Sequence, residues 1–144
     1  MVEISLLAAS DRADWEVLAR GHHAHFDTEV SDEGYERTWQ RLLEGEQRHG
    51  IAARLDGAMV GIAHYVLHPA IWGDGRCYLA DLFVTPGARR QGIARAMIQW
   101  VARDAEESGA PRLYWNTVQD APARALYDQV AKHHEGLILY AYQR

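Results

Sequence analysis

The stretch Arg89-Arg90-Gln91-Gly92-Ile93-Ala94 lies between an extended apolar run, Tyr78 to Val84, and a segment whose apolar residues Ile93, Met97, Trp100 and Val101 recur at helical spacing. The chain must therefore pass from strand to helix through a short loop that contains glycine. Glycine at such an entry lets a ligand approach the backbone, and the first N–H groups of a helix lack intrahelical partners and carry the positive end of its dipole. Out of context the hexapeptide is a helix start with a surface glycine and two solvated arginines. Between this strand and this helix it is a proposed anion site, to which Arg89 and Arg90 add charge.

The 144 residues fit one domain, 1–144, and a hydrophobic content of 48% suffices for a core without disulfides or metal staples. Cys77 is the single cysteine, and no N-terminal stretch has signal-peptide form, so a reducing cytoplasm is the expected location. No run of about 18 apolar residues is present, so no membrane span is expected. A net charge of −5 argues against nonspecific nucleic-acid binding and favours the approach of a cationic amine.

Val2, Ile4, Leu6 and Ala8 alternate as in a half-buried strand. Trp15, Leu18, Ala19, His22 and Phe26 then follow at helical spacing after the candidate caps Ser10 and Asp11, and Tyr35, Trp39, Leu42 and Leu43 do so after Ser31 and Asp32. Ile51–Leu55 and Met59–Leu67 flank Asp56-Gly57, a hairpin signal, and Cys77 to Val84 continues the sheet. The helix opening near Gly92 should end around Ser108-Gly109, followed by a strand from Arg112 to Val118. Asp120 should cap a further helix, with Pro122 in its first turn and Ala123, Leu126, Tyr127, Val130 and Ala131 as its buried stripe, and Leu137 to Tyr142 should supply a last strand. The pattern is mixed α/β.

That order, together with Tyr-Leu-Ala-Asp-Leu-Phe-Val-Thr-Pro from Tyr78, Arg-Arg-Gln-Gly-Ile-Ala from Arg89, and Asp120-x-x-Ala123-x-x-Leu126-Tyr127, resembles the GNAT (GCN5-related N-acetyltransferase) superfamily over nearly the whole chain. The N-terminal Trp15-x-x-Leu18 and Thr38-Trp39-x-Arg41-Leu42-Leu43 are similar to a bacterial subgroup likened to histone and polyamine acetyltransferases. The resemblance implies the GNAT fold, a central mixed and mostly antiparallel twisted sheet flanked by helices. It implies acetyl-CoA as the acetyl donor, with backbone groups of Leu82, Phe83 and Val84 pairing with the pantetheine arm and amides from Arg90 to Ala94 cradling the pyrophosphate. A homodimer is also implied. A Walker A loop is disfavoured because Lys and Ser or Thr do not follow Gly92, and Gly-x-Gly-x-x-Gly is absent.

Acetyl transfer needs a neutral amine, a donor for the developing oxyanion and a proton for the departing thiolate. By resemblance, the Val84 N–H is the oxyanion donor and Tyr127 the general acid; a phenol of ordinary pKa about 10 is protonated near neutrality. The base is left open. The subgroup's Glu is Ala80 here, and Asp81, its neighbour, should face the other side of the strand and be structural. A water chain, a carboxylate from the N-terminal helices or delivery of a neutral amine would then serve. Asp120 stands where the family commonly has Asn, which puts its cofactor contact in doubt.

His22, His23 and His25 invite a metal reading, yet no His-Glu-x-x-His motif or cysteine set completes it, so packed or solvated histidines and no metal are expected. His25 and Phe26 are candidate acceptor-pocket residues or simple packing, and Trp72 lines the acceptor site, packs beneath its turn or joins a dimer contact. Cys77 is read as a small strand residue, not a nucleophile. The expected function is acetyl transfer to a small primary amine or polyamine; protein lysine or N-terminal acetylation and a catalytically weak acyl-CoA-binding module are the alternatives.

Overall fold

A computed structural model describes residues 1–144. Strands β1 (Val2–Leu6), β2 (Arg48–Leu55), β3 (Ala58–His68), β4 (Arg76–Val84) and β5 (Arg112–Tyr114) form one sheet in sequence order. The first four are antiparallel, and β5 joins β4 in parallel. Helices α1 (Arg12–His25) and α2 (Asp32–Glu44) separate β1 from β2, α3 (Ile93–Glu107) separates β4 from β5, and α4 (Arg124–Val130) follows β5.

The β2–β3 turn is made by Asp56 and Gly57, both at positive φ (50° and 83°), as a two-residue turn matched to strand twist requires. Ser31 caps α2 by accepting the Gly34 N–H at 3.0 Å. Asp11 precedes α1 without capping it; its carboxylate accepts the Ala8 N–H at 2.8 Å and pairs with Arg54.

One apolar cluster, including Ile51, Ala63, Tyr65, Cys77, Leu79, Met97 and Val101, fills the α3 side of the sheet. The other, on the α1 and α2 side, gathers Trp15, Leu18, Tyr35, Trp39, Ile62 and Phe83. Trp15 and Trp39 pack with ring centroids 5.0 Å apart.

A bulge in β4 decides which groups reach which side. His64 of β3 sits opposite Asp81, but Tyr65 sits opposite Leu79, so Ala80 is an extra residue without a partner. Before it, Cys77 and Leu79 face α3; after it, Phe83 faces α1 and α2, and Asp81 lies beside His64 on that same side. Strict alternation would have kept Leu79, Asp81 and Phe83 on one face.

Three expectations fail near the C-terminus. The strand after α3 ends at Tyr114, well short of Val118. Helix α4 begins at Arg124 after Ala123, so Asp120 lies in an exposed turn, caps nothing, and Pro122 precedes the helix. The chain enters α4 through successive turns, in which the N–H groups of Arg124, Ala125 and Leu126 donate to the carbonyls of Ala121, Pro122 and Ala123, and these supply the contacts a side-chain cap would otherwise make. Residues 137–142 form no strand, although Leu137, Ile138, Leu139, Tyr140 and Tyr142 are all exposed. An apolar run suits a strand, but only a neighbouring edge can satisfy its backbone, and this segment pairs with none.

Candidate active site

β5 pairs with β4 only at Arg76, Cys77 and Tyr78. Beyond Tyr78 the two strands part, and the outer edge of β4 from Leu79 to Val84 has no strand beside it. Thr85 donates its N–H to Val60 O on the β3 side at 2.8 Å, so strand alternation turns the N–H and C=O of Val84 and Leu82 outward and those of Phe83 toward β3. Leu82 and the Val84 N–H thus face outward with no strand beside them, whereas Phe83 contributes a buried ring on the α1 side. The Val84 carbonyl accepts the Arg89 Nε–H at 3.0 Å, and that guanidinium lies 5.9 Å from the centre of the Phe83 ring.

The open edge runs through a short turn, Pro86–Ala88, into the loop before α3. Arg90 and Gly92 hold positive φ, 65° and 76°. A β-carbon built on Gly92 would meet nothing within 4 Å, so the backbone there faces open space. Arg89, Arg90, Gln91 and Gly92 are exposed, Ile93 is buried in the core and Ala94 half-buried, so the side chains anchor α3 while its first amides face outward.

Tyr127 on α4 is half-buried, its ring 5.3 Å from that of Trp115, and burial raises its phenol above the ordinary range. It therefore holds its proton through neutral pH. The Cys77 thiol is fully buried and pushed up to about 12, by burial first and the nearby Asp104 second, which removes it as a nucleophile.

On the α1 side of the open edge, Asp81 meets two imidazoles. His64 Nδ1 lies 2.8 Å from Asp81 Oδ2, and His22 Nε2 lies 3.3 Å from Asp81 Oδ1. Trp15 donates its indole N–H to His64 Nε2 at 2.9 Å. Burial opposes the Asp81 charge, but hydrogen bonding to His22 and His64 outweighs it and holds the carboxyl well below the usual carboxylate range. Asp81 is thus the centre of a polar network, a role hidden from the sequence because the Ala80 bulge turns it. His64 on β3 also escaped notice, although Ile62 and His64 share the face that meets Trp15.

The three α1 histidines diverge: His22 faces Asp81, His23 Nδ1 lies 2.9 Å from the Tyr35 hydroxyl, and His25 is exposed with its ring edge against Phe26. No three His, Cys, Asp or Glu side chains are arranged to hold a metal ion. Phe26 is 59% exposed at the end of α1 and touches His22, with ring centroids 5.0 Å apart. Trp72, 87% exposed on the β3–β4 loop, does not pack beneath its turn. No helix is long and apolar enough to cross a membrane.

Comparison with known proteins matches this arrangement to a family. The profile of the Acetyltransferase (GNAT) family matches residues 14–131. The D-amino-acid N-acetyltransferase HPA3 of Saccharomyces cerevisiae is 29% identical over 135 residues, covering 90% of this chain and 84% of the yeast protein. The ribosomal-protein-alanine N-acetyltransferase of Brucella melitensis biovar Abortus 2308 superposes with a TM-score of 0.81 at 24% identity, covering 100% of this chain and 99% of its own. The aminoglycoside N-acetyltransferase AAC(6')-Iy, in complex with a CoA-S-monomethyl-acetylneamine bisubstrate analogue, superposes with a TM-score of 0.87 at 17% identity, with 100% and 99% covered. The chain belongs to the GNAT acetyltransferase family and is an acetyl-CoA-dependent N-acetyltransferase.

Proposed function

We propose that this enzyme transfers the acetyl group directly to a primary amine of a small molecule, with donor and acceptor bound together. The observation that carries this is the unpaired edge of β4, which presents the backbone of Leu82 and Val84 and leads straight into the outward-facing amides at the start of α3. An extended amide-bearing arm fits that edge as an added strand, and a diphosphate fits the amides from Arg90 to Ala94. The open space at Gly92 satisfies the need for close approach, and the exposed Arg90 adds a cation to the same loop. Asp120 is assigned no contact, because it caps nothing and carries a charge that phosphates would repel.

In this scheme the Val84 N–H donates to the thioester oxygen as negative charge develops there, an effect worth roughly 3 kcal/mol for one well-placed donor. Tyr127 gives its proton to the departing sulfur. Phe26, His25 and Trp72 line the acceptor's approach. The D-amino-acid acceptor of the yeast relative supports a small amine. The exposed apolar segment 137–142 is what a homodimer would cover, and a lone buried thiol suits the reducing cytoplasm.

The test is CoA release from acetyl-CoA across D-amino acids, polyamines, aminoglycosides and lysine peptides, with the modified nitrogen identified by mass spectrometry. Acceptor-dependent release with a small amine supports the proposal. Release with peptides alone would reassign the enzyme to protein acetylation, and tight binding without release would mark an acyl-CoA-binding module.

A further inference from the structure

Amines are ammonium ions near neutrality, so direct transfer needs a group to remove one proton, and Ala80 cannot. The network around Asp81 can. Trp15 is a donor only, so the indole N–H at 2.9 Å occupies the lone pair of His64 Nε2 and fixes the proton of that ring on Nδ1, where it points at Asp81 Oδ2. With Nε2 accepting from the indole and Nδ1–H facing the carboxylate, His64 is a fixed donor that orients Asp81.

His22 is different. Its side chain is only 13% exposed, its Nε2 lies 3.3 Å from Asp81 Oδ1, and its Nδ1 is buried with no hydrogen-bond partner at all. A buried imidazole nitrogen left without a partner, on a ring whose other nitrogen faces a carboxylate, is the arrangement of a base awaiting a proton donor. Its place in the fold also fits. Gly21 lets α1 approach β4 closely, since a β-carbon there would come within 3.2 Å of the Phe83 ring, and Phe83 lies between Leu82 and Val84 on the open strand.

Resting on the amine-acetylation proposal above, we propose that His22 is the general base, with Asp81 as its orienting anion and His64, locked by Trp15, as a positioning residue. An N–H bond of the acceptor's ammonium breaks, its electron pair stays on nitrogen, and the proton forms a new bond to His22 Nδ1. The imidazolium charge then faces Asp81. The neutral amine attacks the thioester carbon, the carbon–sulfur bond breaks, and sulfur leaves with the Tyr127 proton, which the amine's second proton replaces. The titratable and charged groups about His22 are Asp81 on β4, His64 on β3 and His23 on α1, with Tyr35 of α2 behind His23 and Arg89 above Phe83; Asp81 is the one anion among them. Phe26 is the exposed member of the wall over His22, and the amine approaches past it.

The experiment measures kcat/KM against pH for the best amine of a panel of D-amino acids, spermidine and neamine, in the wild type, His22→Gln and Trp15→Phe. His22→Gln should lower kcat by about 10²–10⁴-fold, leave CoA affinity unchanged by calorimetry, erase the ascending limb set by an imidazole, and regain rate as pH nears the amine's own pKa. Trp15→Phe should keep the limb but lower kcat, because His64 loses the donor that fixes its ring and with it the orientation of Asp81. Histidine ¹⁵N spectra supply a readout independent of turnover: His64 should show the Nδ1–H tautomer in the wild type and lose that preference in Trp15→Phe. An unchanged rate and pH limb in His22→Gln, or an Nε2–H tautomer for His64 in the wild type, would overturn the assignment. A wild type that acetylates none of the amines would instead overturn the small-amine proposal, and the base assignment with it.

Discussion

Gly92 and Gly57 provide a matched pair that separates backbone strain from ligand approach. Both hold left-handed φ, 76° and 83°, and a β-carbon on either would meet nothing within 4 Å. Alanine at each position therefore incurs the same cost, about 1–2 kcal/mol for an L side chain in that region, offset by roughly 0.4–1 kcal/mol from a stiffer unfolded chain. The net is about 1 kcal/mol, or a fall in Tm of about 2–4 °C for a chain of this size. Gly57 lies in the β2–β3 turn, outside both the open edge of β4 and the loop at 90–94, so Gly57→Ala should bind CoA as the wild type does. At Gly92 the added methyl stands where a diphosphate would close on the backbone amides. Losing one charge-assisted hydrogen bond there costs about 1.5–3 kcal/mol, a weakening of about 10–150-fold. Thermal unfolding and isothermal calorimetry with CoA measure the two effects separately. Equal Tm losses with equal CoA affinities would refute the placement of the diphosphate, and a much larger Tm loss at Gly92 would refute the claim that its surroundings are open.

Tyr127→Phe should lower kcat by about 10²–10⁴-fold while CoA affinity is kept, and because burial raises this phenol, the wild-type rate should show no descending limb from it below about pH 10. Tyr65, 1% exposed, donates to Asp104 at 2.6 Å; Tyr65→Phe should lose about 1–3 kcal/mol in urea unfolding with kcat unchanged, and an unchanged midpoint would contradict that bond. Burial lowers the His23 pKa in the folded protein, so the unfolded chain binds more protons. That contribution is complete above about pH 6.5 and is lost as pH falls below it, so His23→Gln should flatten the fall in the urea midpoint between pH 7 and 5; an identical slope would contradict it.

Much of the architecture was legible because periodicity and turn chemistry act locally. Ser31 caps α2, Asp56-Gly57 makes the hairpin, and Trp15 and Trp39 pack where their spacing puts them. The loop from Arg89 to Ala94 was visible for the same reason, as strand, glycine and helix are contiguous. What was hidden depends on pairing across the sheet. The extra residue at Ala80 exists only in the register between β3 and β4, and it carries Asp81 from an expected structural role to the side where His22 and His64 wait. The outward turn of Leu82 and Val84, and not Phe83, likewise follows from which strand lies beside β4. Leu137 to Tyr142 shows the converse: a continuous apolar run with no edge to join stays irregular.

The central claim is that the open edge of β4 and the first amides of α3 together receive the acetyl donor. Backbone amide NMR during titration with CoA tests it most directly. The account predicts that the largest shifts fall on Leu82, Val84 and residues 90–94, with the hairpin at Asp56-Gly57 silent. Shifts concentrated on the outer surfaces of α1 and α2, with Leu82, Val84 and Gly92 unmoved at saturation, would contradict it.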